Sequence, residues 1–311
     1  MRVLVTGASG FLGRHVVAQL RASGADVIAL SRQPRVSMHG EVCTTLMRPD
    51  DAVEVVRVVE QAAPQLILHL AGLSSATTVA ELYVANAVFA SHLLDAAAAL
   101  KPSPTVVLAG SAAEYGPVQD AELPVSESYA CRPVSSYGIS KYAQTLHGLA
   151  AASRGLPVVV ARIFNPIGPG MSATLALGSF ARQVAGIGDT GGVLRTGDLD
   201  VERDFIEAGE AARLLIGLGG VAGASGEVVN ICTGRGWNLG DVTRRLIELS
   251  GVPIHLEFDI ARKGNSTFSR FCGDPAKLKR LGFEPALPDM DAVLAAMLAD
   301  ARSQLDVVPA P

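Results

Sequence analysis

The 311-residue sequence predicts an α/β fold, a doubly wound parallel sheet carrying a smaller C-terminal α/β lobe, and three observations predict it. Apolar runs of strand length alternate with stretches of helical spacing through the first half. A glycine-rich turn follows the first run directly. After Arg162 the texture changes to a mixed, turn-rich chain that opens with Asn165-Pro166-Ile167-Gly168-Pro169-Gly170.

Residues 3–5, 27–30, 66–70, 105–109 and 158–161 read as strands, because strands buried on both faces appear as unbroken apolar runs. Between them, residues 11–23, 51–63, 82–100 and 140–153 carry apolar positions at helical spacing. Repeated β-α-β units of this kind build a doubly wound sheet. A short strand over 227–232 is expected to return to it. The sheet domain is expected to comprise residues 1–165 and 201–235, the lobe residues 166–200 and 236–306, and 307–311 a tail.

Composition narrows the function. With 49% hydrophobic, 18% charged and 5% aromatic residues, the chain suits a helix-covered parallel sheet and not a disordered or fibrous protein. The formal net charge of -4 offers no basic excess to neutralise a phosphate backbone, so no nucleic-acid partner is expected. Cys43, Cys131, Cys232 and Cys272 are far apart and make no metal spacing, so they read as reduced structural thiols and no metal site is expected. Residues 3–5 are too short an apolar stretch for a signal peptide, and no run of 18 apolar residues occurs; the expected location is the cytoplasm, with no membrane partner.

Three motifs carry chemistry. Thr6-Gly7-Ala8-Ser9-Gly10-Phe11-Leu12-Gly13 lies between a strand and a helix, where glycines let backbone N–H groups approach a pyrophosphate at the positive end of the helix. This makes the sheet a Rossmann-type dinucleotide site. Tyr137-Gly138-Ile139-Ser140-Lys141 places a phenol and an ammonium four residues apart, on one helix face. Moving a phenol from its usual pKa of about 10 to near 7 requires roughly 4 kcal/mol of differential stabilisation of the phenolate, which a cation can supply. The third motif, Ala109-Gly110-Ser111-Ala112-Ala113-Glu114-Tyr115-Gly116, ends a sheet strand, and ligands bind beyond the carboxyl ends of parallel strands. Ser111 is there placed to hydrogen-bond a reacting carbonyl oxygen.

The G-x-x-G-x-x-G spacing and the Ser111, Tyr137, Lys141 trio resemble the extended form of the short-chain dehydrogenase/reductase superfamily, and within it the nucleotide-sugar epimerases, dehydratases and reductases. Arg162-Ile163-Phe164-Asn165, Ser179-Phe180-Ala181-Arg182, Thr196-Gly197-Asp198-Leu199 and Arg203-Asp204-Phe205 resemble the subgroup that reduces GDP-4-keto-6-deoxy-D-mannose. The 4,6-dehydratases carry acid/base groups where this chain has Ala112 and Ala113, so dehydration is not expected.

The resemblance implies a catalytic trio of Ser111, Tyr137 and Lys141. It implies a cofactor site of Gly7, Ser9, Gly10, Phe11, Leu12, Gly13, Ser31, Arg32, Leu46, Leu70, Ala71, Gly72, Tyr137, Lys141 and Ile163. Substrate contacts are expected from Ser111, Ala112, Glu114, Asn165, Ser179, Arg182, Arg203 and Arg262, with the last two gripping a diphosphate. Where an acidic residue would hold an adenosine ribose, the chain has Ser31-Arg32, which favours the 2′-phosphate of NADPH over NAD. Thr44-Thr45-Leu46 departs from the family's usual acidic residue after the third strand, and the segment 71–81 is shorter than usual. The expected activity is NADPH-dependent reduction of a nucleoside-diphosphate 4-keto-6-deoxyhexose by a homodimer. The alternatives are a 4-epimerase with tightly bound NAD and a cofactor-binding regulator without turnover.

Overall fold

The computed structural model describes residues 1–33, 36–37, 39–262 and 269–306. β1 (Arg2–Thr6) leads through α1 (Phe11–Ala22) to β2 (Asp26–Ser31) and the edge strand β3 (Val42–Thr45). After α2 (Ala52–Ala62) the chain crosses to the other side of β1, where β4 (Leu66–His69) pairs with it in parallel. α3 (Val79–Tyr83) and α4 (Phe89–Ala99), joined by the π-helical turn Val84–Val88, return to β5 (Thr105–Ser111), and α5 (Ser136–Ser153) to β6 (Val158–Ile163).

The lobe opens with β7 (Asn165–Ile167), α6 (Ala176–Ala185), β8 (Gly192–Thr196) and β9 (Glu202–Glu207). α7 (Ala208–Leu218) and β10 (Val228–Ile231) go back to the large sheet. β11 (Gly236–Asn238), α8 (Leu239–Ser250), β12 (Ile254–Phe258), β13 (Arg270–Phe271), α9 (Ala276–Arg280) and α10 (Met290–Asp306) complete the chain.

The large sheet is parallel throughout, in the order β10-β6-β5-β4-β1-β2-β3. The strand order reverses beside β1, and a crevice for ligands opens at the carboxyl ends at such a reversal. Two apolar layers explain the unbroken strand runs. Val3, Val5, Leu68 and Val107 pack under α1 and α7, while Leu4, Ile67, Val106 and Val158 pack under α2 and α4. α2 starts where the Asp51 carboxylate accepts from the backbone N–H groups of Val53 and Glu54, and α5 where the Ser135 hydroxyl accepts from Gly138. The helical stretch Val79–Ala99 is long and apolar enough by length and composition to cross a membrane, yet half of it is buried inside the protein, as suits a helix that covers a sheet.

Two boundaries differ from those expected. Residues 202–207, placed with the sheet domain by sequence, form β9 at the centre of a separate sheet with β7, β11 and β13; three consecutive charged residues, Glu202, Arg203 and Asp204, begin it, unlike a doubly buried strand of the large sheet. Conversely, Leu278 of α9, with Leu281 and Phe283, packs into the core under α7, although 236–306 was assigned to the lobe. The lobe has its own core, centred on Leu177, Phe180, Leu194, Leu246 and Leu294.

The glycine turn requires its glycines. Gly7 has φ +66, and a Cβ there would stand 2.7 Å from the backbone nitrogen of Ala71; on Gly13 it would stand 2.1 Å from the carbonyl oxygen of Gly7. Both neighbours are backbone and cannot swing aside. Gly13→Ala should therefore cost about 1–3 kcal/mol, as overpacking does, and lower Tm by several degrees in calorimetry. Gly223→Ala, where a Cβ meets nothing within 4 Å, should leave Tm little changed.

Candidate active site

The adjacent carboxyl ends of β2, β1, β4, β5 and β6 bring the residues expected at the cofactor to one edge. In that order they present Ser31 and Arg32, the turn Gly7 to Gly13, Leu70 to Gly72, Ser111, and Ile163. Arg32 is exposed there, and Leu46 is buried just after β3 with its N–H bonded to the Ser31 carbonyl at 2.9 Å. At the start of α1, Gly10 caps the helix without a side-chain bond, so no side chain of the cap occupies the helix's first N–H groups. A flat glycine cradle at the positive end of a 12-residue helix fits a pyrophosphate.

Thr6 and His69 buttress this edge. The Thr6 hydroxyl accepts from the Ala71 N–H at 3.1 Å and stands 2.9 Å from Nδ1 of His69. Burial pushes the His69 imidazole down to about 3, with the charge of Lys141 acting in the same sense, so the ring is neutral. Asn86 clamps the chain after β4. Its Oδ1 accepts from the Leu73 N–H at 2.8 Å, while its Nδ2 donates to the Leu73 carbonyl and to Ser140 Oγ, both at 2.9 Å. Ser140 in turn donates to the Tyr137 carbonyl at 2.8 Å. The loop after β4 and the first turn of α5 are thereby tied together. Sequence reasoning missed His69 and Asn86, although each is a polar side chain inside an apolar run.

α5 sets Tyr137 and Lys141 on one face. Gly138 lets the helix close on the preceding turn, since a Cβ there would lie 2.5 Å from the Ala113 carbonyl oxygen. The Ser111 hydroxyl accepts from the Ala113 N–H at 3.2 Å and lies near the Tyr137 phenol. Burial pushes that phenol above its ordinary value; the nearby Ser111 hydroxyl acts in the opposite sense and the charge of Glu114 raises it. Lys141 Nζ donates to the Ala109 carbonyl and, at 2.7 Å, to Gln144. Its ammonium is drawn down to about 8 by burial, against the opposing charge of Glu114. It also lies against Gly72, where a Cβ would stand 3.9 Å from Nζ.

Tyr137 faces a cavity of about 650 Å³ between the large sheet and the lobe. Asn165, Ser179, Arg203 and Arg262 line it, as expected of substrate contacts. Asn165 donates to the Asp204 carbonyl at 3.0 Å, and Arg262 Nη1 approaches Ser179 Oγ at 3.4 Å. Arg203 donates to the Glu202 carbonyl at 2.8 Å and to that of Ser269 at 3.1 Å. Ser74, Leu175, Phe180, Asp198, Val201 and Leu239 also line the cavity and were not named as substrate contacts, although Phe180 and Asp198 lie in the quoted motifs.

Ser111, at the end of β5, is not among the lining residues, and three further expected substrate residues lie elsewhere. Glu114 is wholly buried, and its carboxylate accepts from the Ser111 N–H at 2.8 Å, from Thr145 at 2.8 Å and from Arg162 Nε at 2.9 Å. It is a structural counter-ion with no oxygen turned to the cavity. Arg182, one turn after Ser179 on α6, does not reach the large cavity; it lines one of about 220 Å³ with Arg14 and Asp300 and, together with Ser179, another of about 360 Å³. Ala112 is packed in an apolar cluster with Tyr115, Phe164 and Phe271. Among the described residues no group of three or more His, Cys, Asp or Glu gathers as for a metal ion, and the four cysteines are free.

A parallel sheet that reverses order beside a glycine cradle, with Ser, Tyr and Lys gathered at the same edge, defines a dinucleotide-dependent oxidoreductase of the Rossmann class. The chain belongs to the NAD dependent epimerase/dehydratase family, whose sequence profile matches residues 3–232. It is 30% identical to GDP-6-deoxy-D-mannose reductase of Pseudomonas aeruginosa over 98% of both chains. GDP-6-deoxy-D-talose 4-dehydrogenase of Aggregatibacter actinomycetemcomitans is 26% identical over 99% of this chain and all of its own. UDP-glucose 4-epimerases also match, that of Bacillus subtilis at 26% over 91% of this chain and 92% of its own. The structure of RMD from Pseudomonas aeruginosa complexed with NADPH superposes with a TM-score of 0.83, at 27% identity, over 98% of this chain and all of that one.

The buried pair yields a stability test. Glu114→Ala leaves Arg162 buried without its counter-charge and should cost about 3–5 kcal/mol in urea unfolding. The double change of Glu114→Leu with Arg162→Met, which removes both charges, should recover much of that loss.

Proposed function

We propose that the protein is an NADPH-dependent reductase of a nucleoside-diphosphate 4-keto-6-deoxyhexose. The observation that carries the reading is that Tyr137, with Ser111 near its phenol and Lys141 one turn further along α5, lines a cavity that two arginines also line. The turn Gly7 to Gly13 would hold the pyrophosphate, Arg32 the 2′-phosphate, and Gly72, Ile163 and Lys141 the nicotinamide half. When bound, the cofactor supplies a hydride to the sugar C4. Tyr137 donates its phenolic proton to the oxygen that becomes the C4 hydroxyl, and Ser111 hydrogen-bonds the same oxygen. A phenol raised by burial is protonated at neutral pH, the form a proton donor needs. Arg203 and Arg262 would face the diphosphate.

Dehydration has no support in these residues. Ala112 and Ala113 offer no acid or base, and the neighbouring carboxylate, Glu114, is committed to Arg162. A 4-epimerase returns hydride to the same sugar and gains from never releasing NAD, whereas a reductase must exchange its cofactor. An exposed Arg32 in place of a ribose-binding carboxylate supports exchangeable NADPH. A homodimer is also proposed, through the outer faces of α3 and α5, where Tyr83, Ile139 and Leu146 are exposed.

With GDP-4-keto-6-deoxy-D-mannose, one NADPH should be consumed per sugar converted. Tyr137→Phe should lower turnover by ~10²-fold or more with little change in cofactor affinity. Arg32→Ala should weaken NADPH far more than NADH. Stoichiometric NAD in the purified protein, with two 4-hydroxy sugars interconverted and no net cofactor oxidation, would replace this reading with the epimerase.

A further inference from the structure

Among the described side chains lining the large cavity, Asp198 is the single carboxylate. An anion is out of place in a site whose arginines suit a diphosphate, unless it faces hydrogen-bond donors on another part of the ligand. Its position says which part. Tyr137 is on α5 at the edge of the large sheet, so the reacting sugar must lie there. Asp198 follows β8 in the lobe, near enough to Arg203 that its charge favours that guanidinium against the dominant effect of burial. The nucleoside end of a nucleotide sugar must therefore extend toward Asp198.

The surroundings favour the base over the ribose. Val201, Leu239 and Leu175 line the same cavity, and aliphatic walls suit the faces of a flat ring rather than a polyol. The turn that carries Asp198 is fixed. Its Oδ1 accepts from the Asp200 N–H at 2.9 Å, and the Leu199 and Val201 carbonyls accept the first N–H groups of α8 at 3.1 and 2.8 Å. A carboxylate has about four acceptor positions, so the single bond to Asp200 leaves it open to a ligand.

Guanine presents two neighbouring donors, N1–H and the N2 amino group, on one edge, and a carboxylate can accept from both. Uracil and thymine present one N3–H between two carbonyl oxygens, both of which a carboxylate repels. We propose that Asp198 reads the base and selects guanosine nucleotides by accepting from guanine N1–H and N2–H. This rests on the nucleotide-sugar reading given above and names the base that the site takes.

Calorimetric titration of the NADPH-loaded protein with GDP, IDP and UDP tests it, since IDP lacks only the 2-amino group. GDP should bind more tightly than IDP, and both more tightly than UDP. Asp198→Asn keeps the oxygen that accepts from Asp200; it should weaken GDP on the order of 10- to 100-fold, close the gap between GDP and IDP, and leave UDP no weaker than before, since the repulsion of its carbonyl oxygens is removed. Equal losses for all three nucleotides would mean that the carboxylate holds the ribose, and UDP binding as tight as GDP would mean that no base is selected; either result overturns the proposal. Titration needs no turnover. Discrimination by Asp198 in a protein that reduces no 4-keto sugar supports this inference and defeats the reductase reading, whereas reduction without discrimination does the reverse.

Discussion

The site depends on one buried carboxylate. Glu114 sits between β5, β6 and α5 and bonds a group on each: the Ser111 N–H, the Arg162 guanidinium and the Thr145 hydroxyl. Arg162 also lies over the Tyr115 ring, 4.7 Å from its centre. Such a pair contributes little net stability, since desolvating both charges offsets their attraction, but a misplaced partner is costly. The consequence is geometric. The strand end that carries Ser111 and the helix that carries Tyr137 and Lys141 can meet in one arrangement only.

Around that clamp the edge is assembled by close backbone approach. A Cβ on Gly110 would meet Glu114 Oε1 at 2.8 Å, and one on Gly72 would meet Asn86 Oδ1 at 2.7 Å. These glycines let the polar clamps reach their targets. Asn86, bonded to both Leu73 and Ser140, joins the loop over the cofactor edge to the first turn of α5. A change at either clamp would displace the phenol and the ammonium together.

The fold was legible because doubly buried strands leave unbroken apolar runs, and the Tyr137/Lys141 pair because spacing puts both on one helix face; Ser111 joined them through the family resemblance. What escaped was tertiary. Nothing local in Ala112-Ala113-Glu114 says that its carboxylate turns inward to an arginine 48 residues away. Arg182 and Ser179 share a face of α6 and line one cavity together, yet only Ser179 reaches the large cavity that Tyr137 faces, which the surrounding chain decides and the helix spacing does not. β9 carries Glu202, Arg203 and Asp204 and belongs to the lobe sheet, a pairing with β7, β11 and β13 that no local pattern in residues 201–235 discloses. His69 and Asn86 did leave a signal, each being a polar residue within an apolar run, and it went unused.

The central claim is that external hydride reaches the sugar C4 while Tyr137 supplies the proton. The most direct measurement is transfer of label from NADPH deuterated at nicotinamide C4 to GDP-4-keto-6-deoxy-D-mannose, with the product examined by NMR. The account predicts one deuterium at C4 of the product sugar and none elsewhere. A product without deuterium at C4, formed while the labelled cofactor remains unconsumed, would contradict it.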